Sequence, residues 1–380
     1  MKKVFYIGHV SDPDDSKMRK AAPAADTKSD YIISKIKDLG YDVEILSWCS
    51  PEERNRVLTK HKGYVTQINN TKVRFFNSYD SKFRVLRVIG RYLAWLERKK
   101  FIEENCLDDE KTLVIYHSLA FIKLLKYLSR KNKKFILEME EIYSDVVGKT
   151  SYRQTEIDVA KNAVGYIFPT QYLEESINPE NKPSVIVHGT YRVEPSRNIR
   201  LFDPNYIHCV YAGTFDPRKG CCAAAAAAEF LPENYHVHII GFGNKEDTEN
   251  IKRTVKEVAG KSSAKVSFDG LYTGEEYIVF IQNCDIGLST QDPDAAFNST
   301  SFPSKTLSYL SNGIKVVSIR IPAIEHSKVG KYLSYYEEQT PEKIAQAIMS
   351  VNLSDDQDSR KIVEKLDAEC LEKMKIVLES

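Results

Sequence analysis

Short apolar runs and helical stripes alternate along the whole chain. Val4–Ile7 is an apolar run that ends at Gly8-His9, the pattern of a strand passing into a loop. Ser29–Leu39 carries Tyr31, Ile32, Ile33, Ile36 and Leu39 at helical spacing, and Gly40 closes it. Tyr41–Ser47, Leu113–Tyr116, Phe135–Leu137, Val164–Pro169 and Ser184–Val187 read as further strands, with a helix over Ala120–Ser129. The scheme then restarts. Strands are expected at Ile207–Ala212, Val237–Ile240, Val266–Phe268, Ile286–Ser289 and Lys315–Ser318. Helices fit Ala223–Phe230, Lys245–Ala259, Glu275–Asn283 and Ser304–Leu310. Strands alternating with helices predict βαβ units and a mostly parallel sheet in each half. The polar stretch Gly189–Pro204 is the expected junction, which gives domains over 1–190 and 205–354, with the tail 355–380 left to the resemblance described below. Two α/β halves without a linker predict a cleft between them where ligands sit.

Composition sharpens this picture at three points. A chain of 380 residues, 42% hydrophobic and 28% charged, fits an ordered globular protein of two domains. The net charge is only +1, yet Pro51–Phe135 holds 20 lysines and arginines against 9 aspartates and glutamates. Seven cysteines show no metal-like spacing and no Cys-x-x-Cys, and Cys221 and Cys222 are adjacent, so reduced thiols and a cytoplasmic location are expected. The start, Met1-Lys2-Lys3, imitates a leader, but its apolar run is short and stops at Ser11-Asp12-Pro13-Asp14-Asp15. No stretch is long and apolar enough for a membrane span.

The most telling chemistry lies in Val210–Gly220 (V-Y-A-G-T-F-D-P-R-K-G) and Ser301–Val317 (S-F-P-S-K-T-L-S-Y-L-S-N-G-I-K-V-V). Each joins an apolar strand to a helix through a loop that exposes backbone N–H groups and a lysine, the makings of a diphosphate site. Gly213 permits a tight turn, and Lys219 can reach an anion. An ordinary strand–loop–helix turn accounts for the same residues. Gly241-Phe242-Gly243 ends the next strand, but Glu246 stands where a dinucleotide fingerprint needs its third glycine, which argues against a nicotinamide or flavin enzyme. Ser299, Thr300, Ser301 and Ser304 are good capping types, and Pro303 suits a first helical turn. Lys305 would lie in that turn, against the helix dipole, unless an anion binds there; the alternative is a lysine in solvent. Asp12-Pro13-Asp14 and Asp292-Pro293-Asp294 read as turns rather than metal sites, so neither a catalytic metal nor another cofactor is expected.

The order A-G-T-F-x-P-R-K-G, I-I-G-F-G, F-D-G, D-I-G-L and F-P-S-K-T-L-S-Y-L-S-N-G-I-K-V-V resembles the C-terminal domain of GT-B-fold glycosyltransferases. It is most similar to retaining family 4 enzymes of bacterial capsule and exopolysaccharide biosynthesis. The resemblance covers essentially the whole chain. It implies an α/β fold of two Rossmann-like domains with parallel sheets facing across a cleft, the tail helix packing back on the first domain. It also implies transfer of a sugar from a nucleotide-diphosphate sugar, UDP favoured, to a glycan or lipid-linked glycan. The C-terminal domain would bind the donor and the N-terminal domain the acceptor. Lys219 matches the diphosphate-binding lysine, and Gly270-Leu271-Tyr272 occupies the position that cradles the base. Gly213, Thr214, Arg218, Gly241, Phe242, Gly243, Ser301, Pro303, Ser304, Lys305 and Thr306 complete the expected donor site. The chain departs from the pattern at Thr214, where an arginine is usual, and at Thr300 and Ser308, where glutamates are usual. Arg218 and Lys305 are the cations that could compensate.

In the first half, His117 follows the strand Leu113–Tyr116 on the ligand side of a parallel sheet. Similar enzymes place a histidine near the transferred sugar; a capping or core histidine is the plain alternative. Within Glu138–Asp145, Glu140 is the candidate base and Glu141 an acceptor contact, against a solvated charge run for at least two of the four acids. Gly8, His9, Asp26, Thr27 and Lys28 belong to the same rim. In Ser81–Glu104, Arg84, Arg87, Arg91 and Arg98 share one helical face, and Leu86, Ile89, Leu93 and Leu96 another. A basic amphipathic helix suits the inner face of a plasma membrane and a lipid-linked acceptor; a helix packed on the sheet is the alternative. No nucleic-acid motif accompanies the charge. A nucleotide-sugar epimerase and a non-catalytic partner subunit remain as rival functions, and a homo-oligomer stays open.

Overall fold

The computed structural model describes residues 2–14, 23–49, 56–294, 298, 302–354 and 358–380, and only the backbone of Pro23–Ala25 and Thr150. Thr300 and Ser301, expected in the donor loop, lie outside the described residues. The chain divides into two compact units: Met1–Thr190 with Cys370–Ser380, and Tyr191–Glu369. The boundary falls inside the polar stretch Gly189–Pro204. Of the tail, only the last eleven residues join the first unit, rather than all of 355–380.

The first unit contains strands β1 (Lys3–Gly8), β2 (Asp42–Ser47), β3 (Thr59–His61), β4 (Tyr64–Ile68), β5 (Thr71–Phe75), β6 (Ser78–Asp80), β7 (Lys111–Tyr116), β8 (Ile136–Glu138), β9 (Gly165–Phe168) and β10 (Ser184–Ile186). Its helices are α1 (Pro23–Asp38), α2 (Arg84–Asn105), α3 (Ile122–Arg130), α4 (Tyr143–Val146), α5 (Thr150–Ala160) and α6 (Gln171–Ile177). Among the described residues the main sheet runs β10-β9-β8-β7-β1-β2-β5-β4. Every pairing in it is parallel except β4 with β5. Strand β1 is central and covered on both faces, which is why Val4–Ile7 is a continuous apolar run without alternation. The chain order reverses between β1 and β7, the switch point at whose carboxyl edge ligands bind in such sheets. The β4–β5 hairpin turns on Asn69 and Asn70, both at positive φ, as a two-residue turn requires.

Helix α2 packs through a narrow face. The residues it buries are Gly90, Ala94 and Ile102. A Cβ at Gly90 would meet Tyr79 of β6 at 2.5 Å, so close packing of α2 on β6 needs the glycine. Ile89, Leu93 and Leu96 face solvent together with Val85 and Val88, so of the two readings of this helix the one that buries its apolar stripe on the sheet does not hold.

The second unit contains β11 (Ile207–Thr214), β12 (Tyr235–Phe242), β13 (Lys265–Gly270), β14 (Ile286–Ser289), β15 (Lys315–Ile319) and β16 (Ser334–Tyr336). Its helices are α7 (Cys221–Ala226), α8 (Lys245–Ala259), α9 (Gly274–Gln282), α10 (Ser304–Ser311), α11 (Pro322–Glu325) and α12 (Pro341–Met349), while α13 (Ser359–Leu378) begins here and ends in the first unit. The described sheet is parallel throughout, in the order β13-β12-β11-β14-β15-β16. Its order reverses between β11 and β14, beside Gly213 and Thr214. The alanine-rich helix is split, with α7 passing into a 3-10 turn over Ala227–Phe230.

Candidate functional site

In the second unit, the carboxyl ends of β11 and β12 are drawn together at two glycines. Gly241 has φ +142°, and a Cβ there would lie 1.8 Å from the carbonyl oxygen of Gly213. Gly220 has φ +81°, and a Cβ there would lie 1.6 Å from the carbonyl oxygen of Thr290. Thr290 Oγ1 donates to Gly220 O at 2.8 Å, which ties the Phe215–Gly220 loop to the end of β14. Gly243 is held against Phe215, where a Cβ would approach within 2.9 Å.

Lys305 lies in the first turn of α10, whose N-cap, Pro303, offers no side-chain cap. Its stem is part-exposed, but its ammonium is buried with no hydrogen-bond partner among the described residues. The Nζ sits 3.9 Å from the ring centroid of Tyr211, and a Cβ at Gly213 would lie 3.5 Å from it. Burial first, and then the charge of Lys219, lower its pKa to about 7. The Oγ1 of Thr306, the next residue, is also buried without a partner among the described residues. A cation with no described counter-charge beside the uncapped end of a helix, and a second cation near it, is an arrangement an anion would complete.

Other expected donor residues are placed as follows. Arg218 is exposed and its guanidinium is engaged by Asp216, Nη2 to Oδ2 at 2.6 Å and Nε to Oδ1 at 3.0 Å. The same carboxylate caps the Arg218 N–H, so the loop itself engages this charge. The carbonyl of Thr214 accepts from Tyr211 Oη at 2.7 Å. Ser308 contacts Tyr277 Oη at 3.0 Å, so the position of the usual glutamate carries a neutral hydroxyl pair. Phe242 and Leu271 are exposed, and Tyr272 packs on Phe280 with centroids 4.6 Å apart. Ser304 is exposed and Pro303 half-buried.

The first unit gathers its candidates at the switch-point edge of its own sheet. His117 follows β7 and is fully buried, so it is a core histidine here rather than a rim residue. Its Nε2 lies 2.6 Å from Glu156 Oε1 on α5, and its Nδ1 is buried without a partner. Glu156 also accepts from the N–H groups of Tyr143 and Ser144 and from Ser144 Oγ. Burial raises the pKa of Glu156, but the His117 and Ser144 hydrogen bonds outweigh it and leave the carboxyl below its usual value. Glu138, at the end of β8, is completely buried, with Oε2 2.7 Å from Tyr6 Oη. Burial, then the charge of Glu140, push its pKa up to about 8. Glu140 is not a free base: it forms an ion pair with Lys28 at 2.6 Å, bringing two expected contacts together. Glu141 is half-buried and Thr27 exposed. Asp26 accepts from the N–H and hydroxyl of Ser11. His9 contacts Ser118 Oγ at 3.3 Å and packs on Phe121; burial and Arg98 lower its pKa to about 4. Gly8 passes its carbonyl to the Trp48 N–H at 2.8 Å.

Sequence reasoning missed Glu156 and a histidine cluster. Glu156 is one of two acids on a helix with no clear apolar stripe, and nothing local marks it as the partner of His117. His208, His236 and His238 bring ring nitrogens within 4.8 Å of one another from β11 and β12. Their signal was the His-x-His pair on one face of β12, joined only through parallel pairing by His208. These rings are linked to each other and to Asp269, Ser267 and the Asp203 carbonyl by hydrogen bonds. Both Asp-Pro-Asp stretches are turns closed by an aspartate accepting from the N–H two residues on.

No protein family and no curated protein matches this sequence. Solved structures do match its fold. A UDP-forming α,α-trehalose-phosphate synthase from Burkholderia xenovorans, in complex with glucose-6-phosphate, is 9% identical, with 98% of each chain covered and a TM-score of 0.64. A trehalose-6-phosphate protein from E. coli bound with UDP-2-fluoro glucose is 10% identical, with 98% of this chain and 97% of that chain covered and a TM-score of 0.63. Anabaena Alr3699/HepE in complex with UDP is 12% identical, with 99% and 96% covered and a TM-score of 0.59. The chain has the GT-B fold. At these identities the likeness reaches the fold of both units and stops there. None of these descriptions names a capsule or exopolysaccharide enzyme. No helix among the described residues is long and apolar enough to cross a membrane.

Proposed function

We propose that this protein is a glycosyltransferase that takes a sugar from UDP-sugar, with retention, and passes it to a phosphate-bearing sugar acceptor. The observation that carries the reading is the buried, unpartnered ammonium of Lys305 beside Lys219 at the switch-point edge of the second unit. A nucleotide diphosphate supplies the missing negative charge. The two lysines and the α10 N-terminus would stabilise the departing UDP as its charge develops. Ser301, Ser304 and Thr306 would add hydroxyl donors, and Leu271 and Tyr272 a surface for the base. The ligands in the GT-B neighbours, UDP, a UDP-sugar analogue and glucose-6-phosphate, support this donor and move the acceptor from an unspecified glycan to a phosphorylated sugar. Within the first unit, Glu138 would be a neutral carboxyl at neutral pH. A polysaccharide destination for the product has no support beyond the resemblance of the sequence.

The exposed stripe of α2, Val85, Val88, Ile89, Leu93 and Leu96 beside Arg84 and Arg91, favours a narrower version of the reading, in which the acceptor is lipid-linked and this helix rests on an anionic bilayer. The function is tested by following release of UDP or GDP from a panel of sugar nucleotides with glucose 6-phosphate or a lipid-linked sugar phosphate as acceptor. UDP release that requires an acceptor is the expected result. Sugar isomerisation with no diphosphate released would establish the epimerase instead, and no turnover or nucleotide binding would establish a non-catalytic subunit.

A further inference from the structure

A second cationic site lies wholly within the first unit. Helix α2, the carboxyl ends of β1 and β2, and the start of α3 line a cavity of ≈ 660 Å³ walled by His9, Trp48, Tyr92 and Trp95. That size suits a sugar phosphate. Three cations line it, Arg91, Arg98 and Lys123, and no described lining residue is acidic. The cations are held over aromatic rings: Arg98 lies 4.7 Å from the Trp48 centroid, and Lys123 4.6 Å from that of Trp95. Burial and the Arg98 charge keep His9 neutral, so it adds no charge of its own. Trp48 is 5% exposed, so its ring forms an apolar wall of the cavity rather than a surface residue.

We propose that this pocket binds the phosphate group of the acceptor, with Arg91, Arg98 and Lys123 on its oxygens and the Trp48 and Trp95 rings beside it. Arg98, half-buried over Trp48, holds its charge where water screens it less, while Arg91 and Lys123 stand exposed at the rim. The same chemistry serves a free sugar phosphate and the headgroup of a lipid phosphate. The assignment of the ligand as acceptor rests on the glycosyltransferase reading; the phosphate site itself does not.

The chain's two tryptophans, Trp48 and Trp95, both line this pocket, so intrinsic fluorescence reports on it directly. The full-length protein is titrated with glucose 6-phosphate, with glucose, and with phosphatidylcholine vesicles with and without phosphatidic acid. UDP binding is followed separately by thermal shift. The proposal expects a saturable fluorescence change with glucose 6-phosphate or with phosphatidic-acid vesicles, and none with glucose or phosphatidylcholine alone. Whichever phosphate source responds identifies the ligand. The double variant Arg91→Ala, Lys123→Ala, at two exposed positions, should weaken that titration by roughly tenfold or more. No response to either phosphate, an equal response to glucose, or an unchanged titration in the double variant overturns the proposal. A lost phosphate response with UDP binding intact overturns this site alone, whereas a phosphate response without UDP binding overturns the donor reading and leaves this site standing.

Discussion

The ammonium of Lys305 rests 3.9 Å from the centre of the Tyr211 ring, its charge buried and without a hydrogen-bond partner among the described residues. The ring face offsets part of the desolvation but accepts no conventional hydrogen bond. The folded pKa is about 7 against an ordinary 10.5, so the unfolded state holds the proton more tightly. Stability therefore rises with pH between those two values. Lys305→Met should stabilise the free protein at pH 7 by on the order of 2 kcal/mol, a gain that shrinks as pH rises through that window. Thermal denaturation from pH 7 to 10 measures it. A variant less stable than wild type at pH 7 would show that the lysine is structural.

Glu138 titrates in the opposite sense. Its folded pKa of about 8 lies above the ordinary 4.5, so its contribution is present below 4.5 and is lost as pH rises through 8. Glu138→Gln keeps a neutral group near Tyr6 without that dependence. The variant should gain on the wild type between pH 5 and pH 8.5, by on the order of 2 kcal/mol at the upper end. Parallel stability curves would place an ionised carboxylate there.

Glu156→Gln tests the buried acceptor of His117. The carboxylate accepts four hydrogen bonds from His117, Tyr143 and Ser144, and an amide cannot accept them all. A loss of about 2–3 kcal/mol is expected in urea denaturation. Because the folded pKa of Glu156 is depressed, the wild type should lose this advantage only as pH falls below the usual carboxylate range.

Two glycines separate backbone strain from general tolerance. Gly241→Ala places a Cβ 1.8 Å from a carbonyl oxygen at φ +142° and should cost at least about 3 kcal/mol. Gly260→Ala, whose Cβ would meet nothing closer than 3.6 Å, should change stability by less than about 0.5 kcal/mol. Equal effects in chemical denaturation would mean the β11–β12 ends are not tightly apposed.

Much of the fold was legible because a parallel sheet writes itself as apolar runs. Val4–Ile7, Ile207–Ala212 and Ile286–Ser289 were found on that basis, and Lys245–Ala259 was found to the residue. The hairpin Tyr64–Phe75 was not, since its strands are polar on one side and its Asn69-Asn70 turn lacks the usual glycine. For helix α2 the sequence left open whether the apolar stripe packs on the sheet, and the close approach of Tyr79 selects the small face of Gly90 and Ala94 instead. Lys305 was flagged from its position against the helix dipole, but its burial over Tyr211 depends on contacts almost a hundred residues apart. Arg218 looked available in sequence because the capping role of Asp216 appears only in the folded loop.

The most direct test of the donor site is a calorimetric titration of UDP into the wild type and Lys305→Met at pH 8, in two buffers of different ionisation enthalpy. At that pH the free lysine is mostly neutral, and a bound diphosphate should recharge it. The account predicts binding with uptake of close to one proton by the wild type, and weak or no binding by the variant. UDP binding without proton uptake, and with unchanged affinity in Lys305→Met, would contradict it.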